Sequence, residues 1–127
     1  MKAIILISIF TVLVGCASSN KNLSPGMEAA FHKPLVCAGD SQCKLYWDRA
    51  NFYVNSNSRY KIQTANDNLI QTFSPTGGST NLGYNISREP LGSGKYRIWI
   101  KTWCDNMFGC YPDQREEVAK FKMYVSG

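Results

Sequence analysis

A helical pattern of hydrophobic positions marks residues 40–54. From one turn to the next, apolar and aromatic side chains recur three or four positions apart. They are Cys43, Tyr46, Trp47, Ala50, Tyr53 and Val54. Because residues with this spacing share one face of a helix, the segment predicts an amphipathic helix. Asp40 or Ser41 is expected to cap its first turn by accepting a backbone N–H bond.

Beyond this helix the hydrophobic period changes to two, which is typical of half-buried strands. Four strands are predicted, at residues 60–64, 69–73, 81–88 and 95–103. The first two are expected to form a hairpin around Asn66 and Asp67, since both residue types tolerate the backbone of a tight turn. That turn would place Ile62 opposite Gln71.

The last segment, 119–125, also alternates and predicts a fifth strand. A helix competes with this assignment because Val118, Phe121 and Val125 fit one helical face. Hairpins join the predicted strands, so a meander is the first expectation for their order. The predicted fold class is α+β, with one N-terminal helix packed on an antiparallel sheet of about five strands and two disulfides.

The amino terminus has a different pattern. Lys2 precedes an apolar run at 3–14, which ends at Gly15 and Cys16 before polar residues follow. A basic start, a short apolar core and a small residue at the end are typical of a signal peptide. The run is too short for a comfortable membrane span, which needs about 20 apolar residues.

The sequence at 13–16, Leu-Val-Gly-Cys, resembles the lipobox of bacterial lipoprotein precursors. The resemblance implies diacylglycerol on the Cys16 sulfur, cleavage after Gly15 and acylation of the new amino terminus with palmitate-type chains. Ala17 rather than Asp follows the cysteine, which implies the outer membrane, with the protein facing the periplasm. A Gram-positive host would place it on the outer face of its only membrane. An ordinary signal peptide, cut after Gly15 or Ala17, and an uncleaved anchor are the alternatives.

Three parts are therefore predicted along the chain. Residues 1–15 are the signal peptide. Residues 16–34 are a lipidated cysteine and a flexible tether rich in Ser, Asn and Lys, in which 27–31 could form one helical turn. Residues 35–127 are a single small domain, because the mature chain of 112 residues is too short for two.

The charge balance limits the partners. The chain has 14 Lys and Arg against 9 Asp and Glu, a net charge of +5, and removal of Lys2 with the signal peptide leaves +4. This moderate excess favours anionic neighbours such as lipid head groups or cell-wall polymers, although it also fits an ordinary basic surface. An exported chain without a nucleic-acid-binding motif is not expected to bind nucleic acid.

The five cysteines divide into one and four. Cys16 is assigned to lipid, and an even number remains for an oxidising compartment: Cys37, Cys43, Cys104 and Cys110. Both local pairs have the spacing C-x5-C, so Cys37–Cys43 and Cys104–Cys110 are favoured, with two crossed pairings left open. Zinc usually requires C-x2–4-C, so no metal site is expected. The only group expected to be attached is the lipid on Cys16, and no other cofactor is predicted.

Two candidate binding surfaces emerge. The first is one face of the fourth predicted strand, with two aromatic rings among cations: Arg97, Trp99, Lys101 and Trp103. Lys120 and Lys122 would add charge if a fifth strand paired beside it. The face suits sugar rings and anionic groups, but the cationic stems could instead cover the rings on an ordinary sheet surface. The second is the tip of the closed 104–110 loop, Met107 and Phe108, which either projects or folds back onto the sheet.

Catalytic signatures are weak. His32, the one histidine, falls in the presumed tether, and Glu116 with Glu117 reads as a solvated turn. The first hypothesis is a non-enzymatic, membrane-anchored envelope lipoprotein that binds a protein or cell-wall glycan. The second is an inhibitor or exclusion protein that blocks an incoming enzyme, phage or plasmid apparatus. The third is a small envelope hydrolase.

Overall fold

The structure, a computed structural model, describes residues 22–127. The predicted signal peptide and Cys16 lie outside these residues. In chain order the elements are α1 (Pro25–His32), β1 (Leu35–Ala38), α2 (Asp40–Asn57), β2 (Ile62–Ala65), β3 (Leu69–Thr72), β4 (Gly83–Gly92), β5 (Lys95–Trp103) and α3 (Gln114–Ser126). Within this part of the chain, no helix is both long and apolar enough to span a bilayer.

The five strands form one antiparallel sheet in the order β1-β5-β4-β3-β2. This confirms the predicted α+β class. The meander from β2 to β5 also matches the expectation. β1 lies outside the meander, on the free edge of β5, so α2 carries the chain from one edge of the sheet to the other.

The hydrophobic core lies between the sheet and two of the helices. α2 contributes Ala50, Tyr53 and Val54, and α3 contributes Phe121 and Val125. These side chains pack on the sheet face that carries Ile70, Tyr84, Ile86 and Ile98. One face of the sheet is thus covered by helices, as expected for an antiparallel sheet with one solvated side.

The predicted face of α2 is confirmed. Its apolar stripe is buried or packed against the core, including the partly buried Tyr46 and Trp47. The expected side-chain cap is wrong, because Gly39 occupies the cap position and no side chain bonds to the first turn. Gly39 has φ of 83°, a left-handed conformation that favours glycine, and this lets the chain turn sharply from β1 into α2.

The prediction of a fifth strand at 119–125 is wrong, since this segment belongs to α3. Asp113 caps the helix by accepting bonds from the N–H groups of Arg115 and Glu116 at 3.0 and 3.1 Å. Phe121 and Val125, four residues apart, then lie on the buried face. The fifth strand of the sheet is instead β1, whose four residues are too few to show a period.

The prediction of a flexible tether at 16–34 is wrong for the residues that form α1. Ser24 caps this helix through its hydroxyl, and Pro25 occupies the first turn, where its missing N–H costs no hydrogen bond. α1 packs against α3, and Glu28 forms an ion pair with Arg115. The predicted single domain therefore begins earlier than residue 35.

The hairpin register differs from the prediction. Ile62 pairs with Thr72 and Thr64 pairs with Gln71, with a bulge between the two pairs. Residues 66–68 of the turn are Asn, Asp and Asn. The Asn66 side-chain oxygen accepts hydrogen bonds from the N–H groups of both Asn68 and Leu69 at 2.9 Å. Ala65 pairs with Ile70, so four residues form the turn, and the bulge is the extra residue on β2 between the Ile62 and Thr64 pairs.

Both favoured disulfides are present. Cys37–Cys43 joins β1 to the first turn of α2, and Cys104–Cys110 closes the loop between β5 and α3. Each links cysteines six positions apart, so each constrains a local loop and does not tie the two ends of the domain together.

Candidate functional site

The sheet face opposite the core carries the predicted aromatic and cationic ladder. Its four residues lie on β5 and pair in register with alternate residues of β4: Arg97 with Glu89, Trp99 with Ser87, Lys101 with Asn85, and Trp103 with Gly83. Since α2 and α3 both pack on the other face, this is the solvated face of the sheet, and within it only Gly83 is buried. We call the surface formed by these eight residues the open face.

Trp99 is held in place on the open face while 46% exposed. Its indole N–H donates to Glu89 Oε2 at 2.7 Å, and the Arg97 guanidinium lies 3.7 Å from the ring centroid. This stacking combines cation–π attraction with coverage of one ring face. Part of the alternative interpretation therefore holds, because arginine shields one side of this tryptophan.

Trp103 lies in close contact with its cross-strand partner, Gly83. A Cβ placed on Gly83 would come within 3.0 Å of the Trp103 ring and 2.7 Å of Pro75 Cδ. Only glycine allows this close approach. Trp103, Asn85 and Lys101 line a shallow hollow of about 540 Å³. Asn85 donates its amide to Gln71 on β3 at 3.0 Å, which extends the polar border of the hollow.

The chemistry of the hollow is that of a flat apolar ring beside an amide and an ammonium group. A tryptophan face packs against the C–H side of a flat ligand ring, while amides exchange hydrogen bonds with hydroxyls. Lys101, which is exposed, adds a positive charge suited to a carboxylate or phosphate.

The strand pairing that would bring Lys120 and Lys122 to this face is wrong, because both residues lie on α3. Lys122 nevertheless lines a hollow together with Arg97 and Trp99, at the edge of the face. Lys122 instead donates to the carbonyls of Phe31 and Lys33 at 2.6 and 2.9 Å, where α1 ends. Lys120 pairs with Glu116 one turn earlier on α3, at 2.8 Å. Lys122 therefore joins α3 to the end of α1, whereas Lys120 pairs within α3.

The tip of the 104–110 loop projects into solvent. Met107 and Phe108 are 89% and 88% exposed, so the tip does not fold back onto the sheet. Tyr111, immediately after the disulfide, is also exposed. Three large side chains with apolar surface thus stand within residues 107–111, two inside the disulfide loop and one directly after it.

Hydrogen bonds fasten this loop to the neighbouring one at 74–80. Asp105 Oδ2 accepts the Gly78 N–H at 3.1 Å, and the Asn106 amide donates to the Gly78 carbonyl at 2.7 Å. Asn106 Oδ1 also accepts the Phe108 N–H at 2.9 Å. The exposed tip is therefore preorganised, which lowers the entropy lost when such a loop binds.

Sequence reasoning missed the buried carboxylate of Glu117, which is 4% exposed. Its Oε1 accepts hydrogen bonds from Tyr53 Oη at 2.9 Å and Tyr84 Oη at 2.7 Å. Burial, followed by the neighbouring carboxylate, raises the pKa of both tyrosines. The signal was present in the sequence, since Glu117 lies four residues before Phe121 and so shares its buried helical face.

Glu117 also borders a cleft of about 560 Å³ together with Asp113 and Glu116. Each carboxylate has a partner in the fold: Asp113 caps α3, Glu116 pairs with Lys120, and Glu117 holds the two tyrosines. The histidine lies elsewhere, on α1, where His32 pairs with Glu28. Among residues 22–127, no group of three His, Cys, Asp or Glu side chains could hold a metal ion.

Comparison with known protein families, characterised proteins and solved structures found no match to this chain.

Proposed function

We propose that this chain is a lipid-anchored, non-enzymatic envelope protein whose domain binds cell-wall glycan through the open face. The observation that carries the binding proposal is the pair of tryptophans on a sheet surface that faces solvent. Trp99 and Trp103 are four residues apart on the same side of β5, with Lys101 between them, so both can contact one extended ligand.

Support for the compartment comes from the amino-terminal sequence. The basic start, the short apolar run and the Leu-Val-Gly-Cys ending at Cys16 are together typical of lipoprotein precursors. The two disulfides fit the same location, because such bonds persist in oxidising compartments outside the cytoplasm. Outer-membrane attachment facing the periplasm follows from Ala17 by the same resemblance.

Support for a glycan ligand comes from the mixture of groups on the open face. Trp103 and its hollow offer a flat ring beside the Asn85 amide, which suits a sugar ring and its hydroxyls. Arg97 and Lys101 suit the carboxylates that a cell-wall polymer carries. The one acidic side chain within the open face, Glu89, is engaged by the Trp99 indole.

Binding of the purified mature protein to isolated peptidoglycan sacculi tests this proposal. We expect Trp99→Ala and Trp103→Ala each to weaken co-sedimentation by about tenfold, which corresponds to about 1.4 kcal/mol. Phe52→Ala on α2 is the matched control, because Phe52 is also exposed but lies on the helical side. Equal binding by all four proteins, or no binding by any, would contradict the glycan proposal.

The anchor is tested separately by metabolic labelling with a radioactive fatty acid. We expect label in the wild-type chain and none in Cys16→Ser. Equal label in both chains would exclude lipid attachment at Cys16 and leave the glycan experiment unaffected.

A further inference from the structure

The start of α1 and the 104–110 loop lie at the same end of the domain. α1 runs in the same direction as α3. Glu28, in the first turn of α1, pairs with Arg115 at the start of α3. The Phe31 carbonyl, near the end of α1, accepts a hydrogen bond from Lys122 near the end of α3. Ser24, which caps α1, therefore lies towards the start of α3.

The start of α3 is in turn fixed to the end of β5. The Gln114 amide donates to the Thr102 carbonyl at 2.8 Å. Thr102 lies two residues before Cys104, where the disulfide loop begins. The chain thus enters the folded domain at the end that presents Met107 and Phe108.

The segment between Cys16 and Ser24 is short, which restricts how the domain can be oriented relative to a lipid anchor at Cys16. Cys16 precedes Ser24 by eight positions, so the connecting chain can reach about 28 Å when fully extended. The opposite end of the sheet, at the turn between β4 and β5, lies about 26 Å away along β5 at the usual strand rise. Turning that end towards the membrane would require an almost fully stretched connection, at a large cost in chain entropy.

We infer that the tip of the 104–110 loop inserts into the surface of the bilayer that holds the lipid anchor. This inference rests on the proposed lipidation of Cys16. Met107 and Phe108 supply apolar area for the boundary between head groups and acyl chains. Tyr111 has the amphipathic ring that is enriched at membrane interfaces. The strands of the sheet then point away from the membrane, and the open face is presented sideways.

Apolar contact contributes more than charge to the binding of this tip to the membrane. The acidic side chains beside the tip, Asp105 and Asp113, accept backbone N–H bonds of the fold. Arg59 is exposed and lines the same hollow as Tyr111, and Arg115 at the start of α3 is paired with Glu28, so few unpaired cations face this end of the described domain. The inference therefore predicts insertion that persists at high salt, since screening weakens only exposed charge interactions.

Tryptophan substitution in the full-length lipidated protein provides the test. Phe108→Trp and the matched control Leu91→Trp are each reconstituted into vesicles of phosphatidylethanolamine and phosphatidylglycerol. Part of the lipid is replaced by phosphatidylcholine that is brominated on its acyl chains and quenches indole fluorescence. Leu91 is an exposed apolar residue near the end of β4, next to the turn that leads into β5, so it reports the same chemistry away from the tip.

We expect Phe108→Trp to show a shift of emission to shorter wavelength and strong quenching beyond the wild-type signal, at low and high salt. Leu91→Trp should show neither. Co-flotation with the vesicles but no added quenching of Phe108→Trp would overturn the docking while leaving the anchor intact, and would favour a protein pocket for the tip. Failure of both variants to co-float would overturn the anchor and the docking together.

Discussion

Trp103 lies across Gly83 of the neighbouring strand, so close that a Cβ on the glycine would come within 3.0 Å of the indole ring. The same Cβ would come within 2.7 Å of Pro75 Cδ, and neither neighbour is the far end of a flexible chain. The Trp103 ring, which lines the hollow on the open face, is thus held directly over Gly83.

Gly83→Ala is therefore expected to destabilise the domain by about 1–3 kcal/mol, the usual cost of overpacking. The new methyl group would push the Trp103 ring outward and deform the hollow. Urea unfolding measures the loss. Gly26→Ala is the matched control, because a Cβ there meets nothing within 4 Å. An unchanged midpoint for Gly83→Ala would show that the contact relaxes freely.

Glu117→Ala is expected to destabilise the fold by about 1–3 kcal/mol for each hydroxyl that loses its acceptor. Glu117→Gln should recover most of this loss, because the amide oxygen can accept from both Tyr53 and Tyr84. Chemical unfolding of the two variants in parallel makes the comparison. Equal stability of the Ala and Gln variants would contradict a hydrogen-bonding role for the carboxylate.

Alkaline pH should unfold this protein through the same two tyrosines. Their pKa values are raised in the folded state, so the folded chain keeps two protons that the unfolded chain loses above about pH 10. The contribution of these two groups to stability is then constant below this pH and falls above it, by up to about 2.7 kcal/mol per pH unit.

Tyrosinate absorbance followed during a pH titration checks this effect. Of the seven tyrosines, we expect two to ionise only as the circular dichroism of the fold is lost. Ionisation of all seven before unfolding would show that Tyr53 and Tyr84 are accessible to hydroxide in the native state.

Lys122→Met is expected to loosen α1 without unfolding the rest of the domain. The ammonium group binds the carbonyls of Phe31 and Lys33, and hydrogen bonds to a charged donor contribute about 1.5–3 kcal/mol. Hydrogen exchange of the α1 amides should therefore be faster by about tenfold or more. Lys120→Met is the control, since Lys120 pairs within α3, and it should leave α1 protected.

Removal of the Cys104–Cys110 bridge by a double Ser substitution should cost about 2 kcal/mol of unfolding free energy in the chain-entropy picture. The Cys37–Cys43 bridge closes a loop of equal length, so the same substitutions there should cost about the same. Hydrogen exchange separates them, because only the first change should loosen residues 104–110. Disulfide-linked peptides in an unreduced digest provide the direct check of both pairings.

The local hydrophobic pattern was sufficient to predict which face of a helix or strand is buried, where that pattern fits only one kind of element. The stripe from Cys43 to Val54 predicted α2, and the alternation in β5 placed Trp99 and Trp103 on one side, as the register confirms. The cysteine spacing favoured the observed pairs because each bridge closes over only six positions. These inferences require no knowledge of what the rest of the chain does.

Where two periods fit, pattern alone failed. The segment 119–125 alternates like a strand, yet the burial of Phe121 and Val125 against α2 selects the helix. Helical segments of this length depend on tertiary packing of their apolar face. Only a single turn of α1 was anticipated for the same reason, since its eight residues form no buried stripe of their own and are held by contacts with α3.

The sequence by itself determined the main helix, the meander, the crosslinks and the alternation that separates Trp99 and Trp103 from the core, because each depends on spacing within a short segment. Only the tertiary structure decided that Glu117 is buried between two tyrosines, that Lys122 joins two helices, and that Phe108 stands at the end where the chain enters the domain. Those relationships join residues far apart in the chain, and the free energy of burial that selects them exists only once the elements pack.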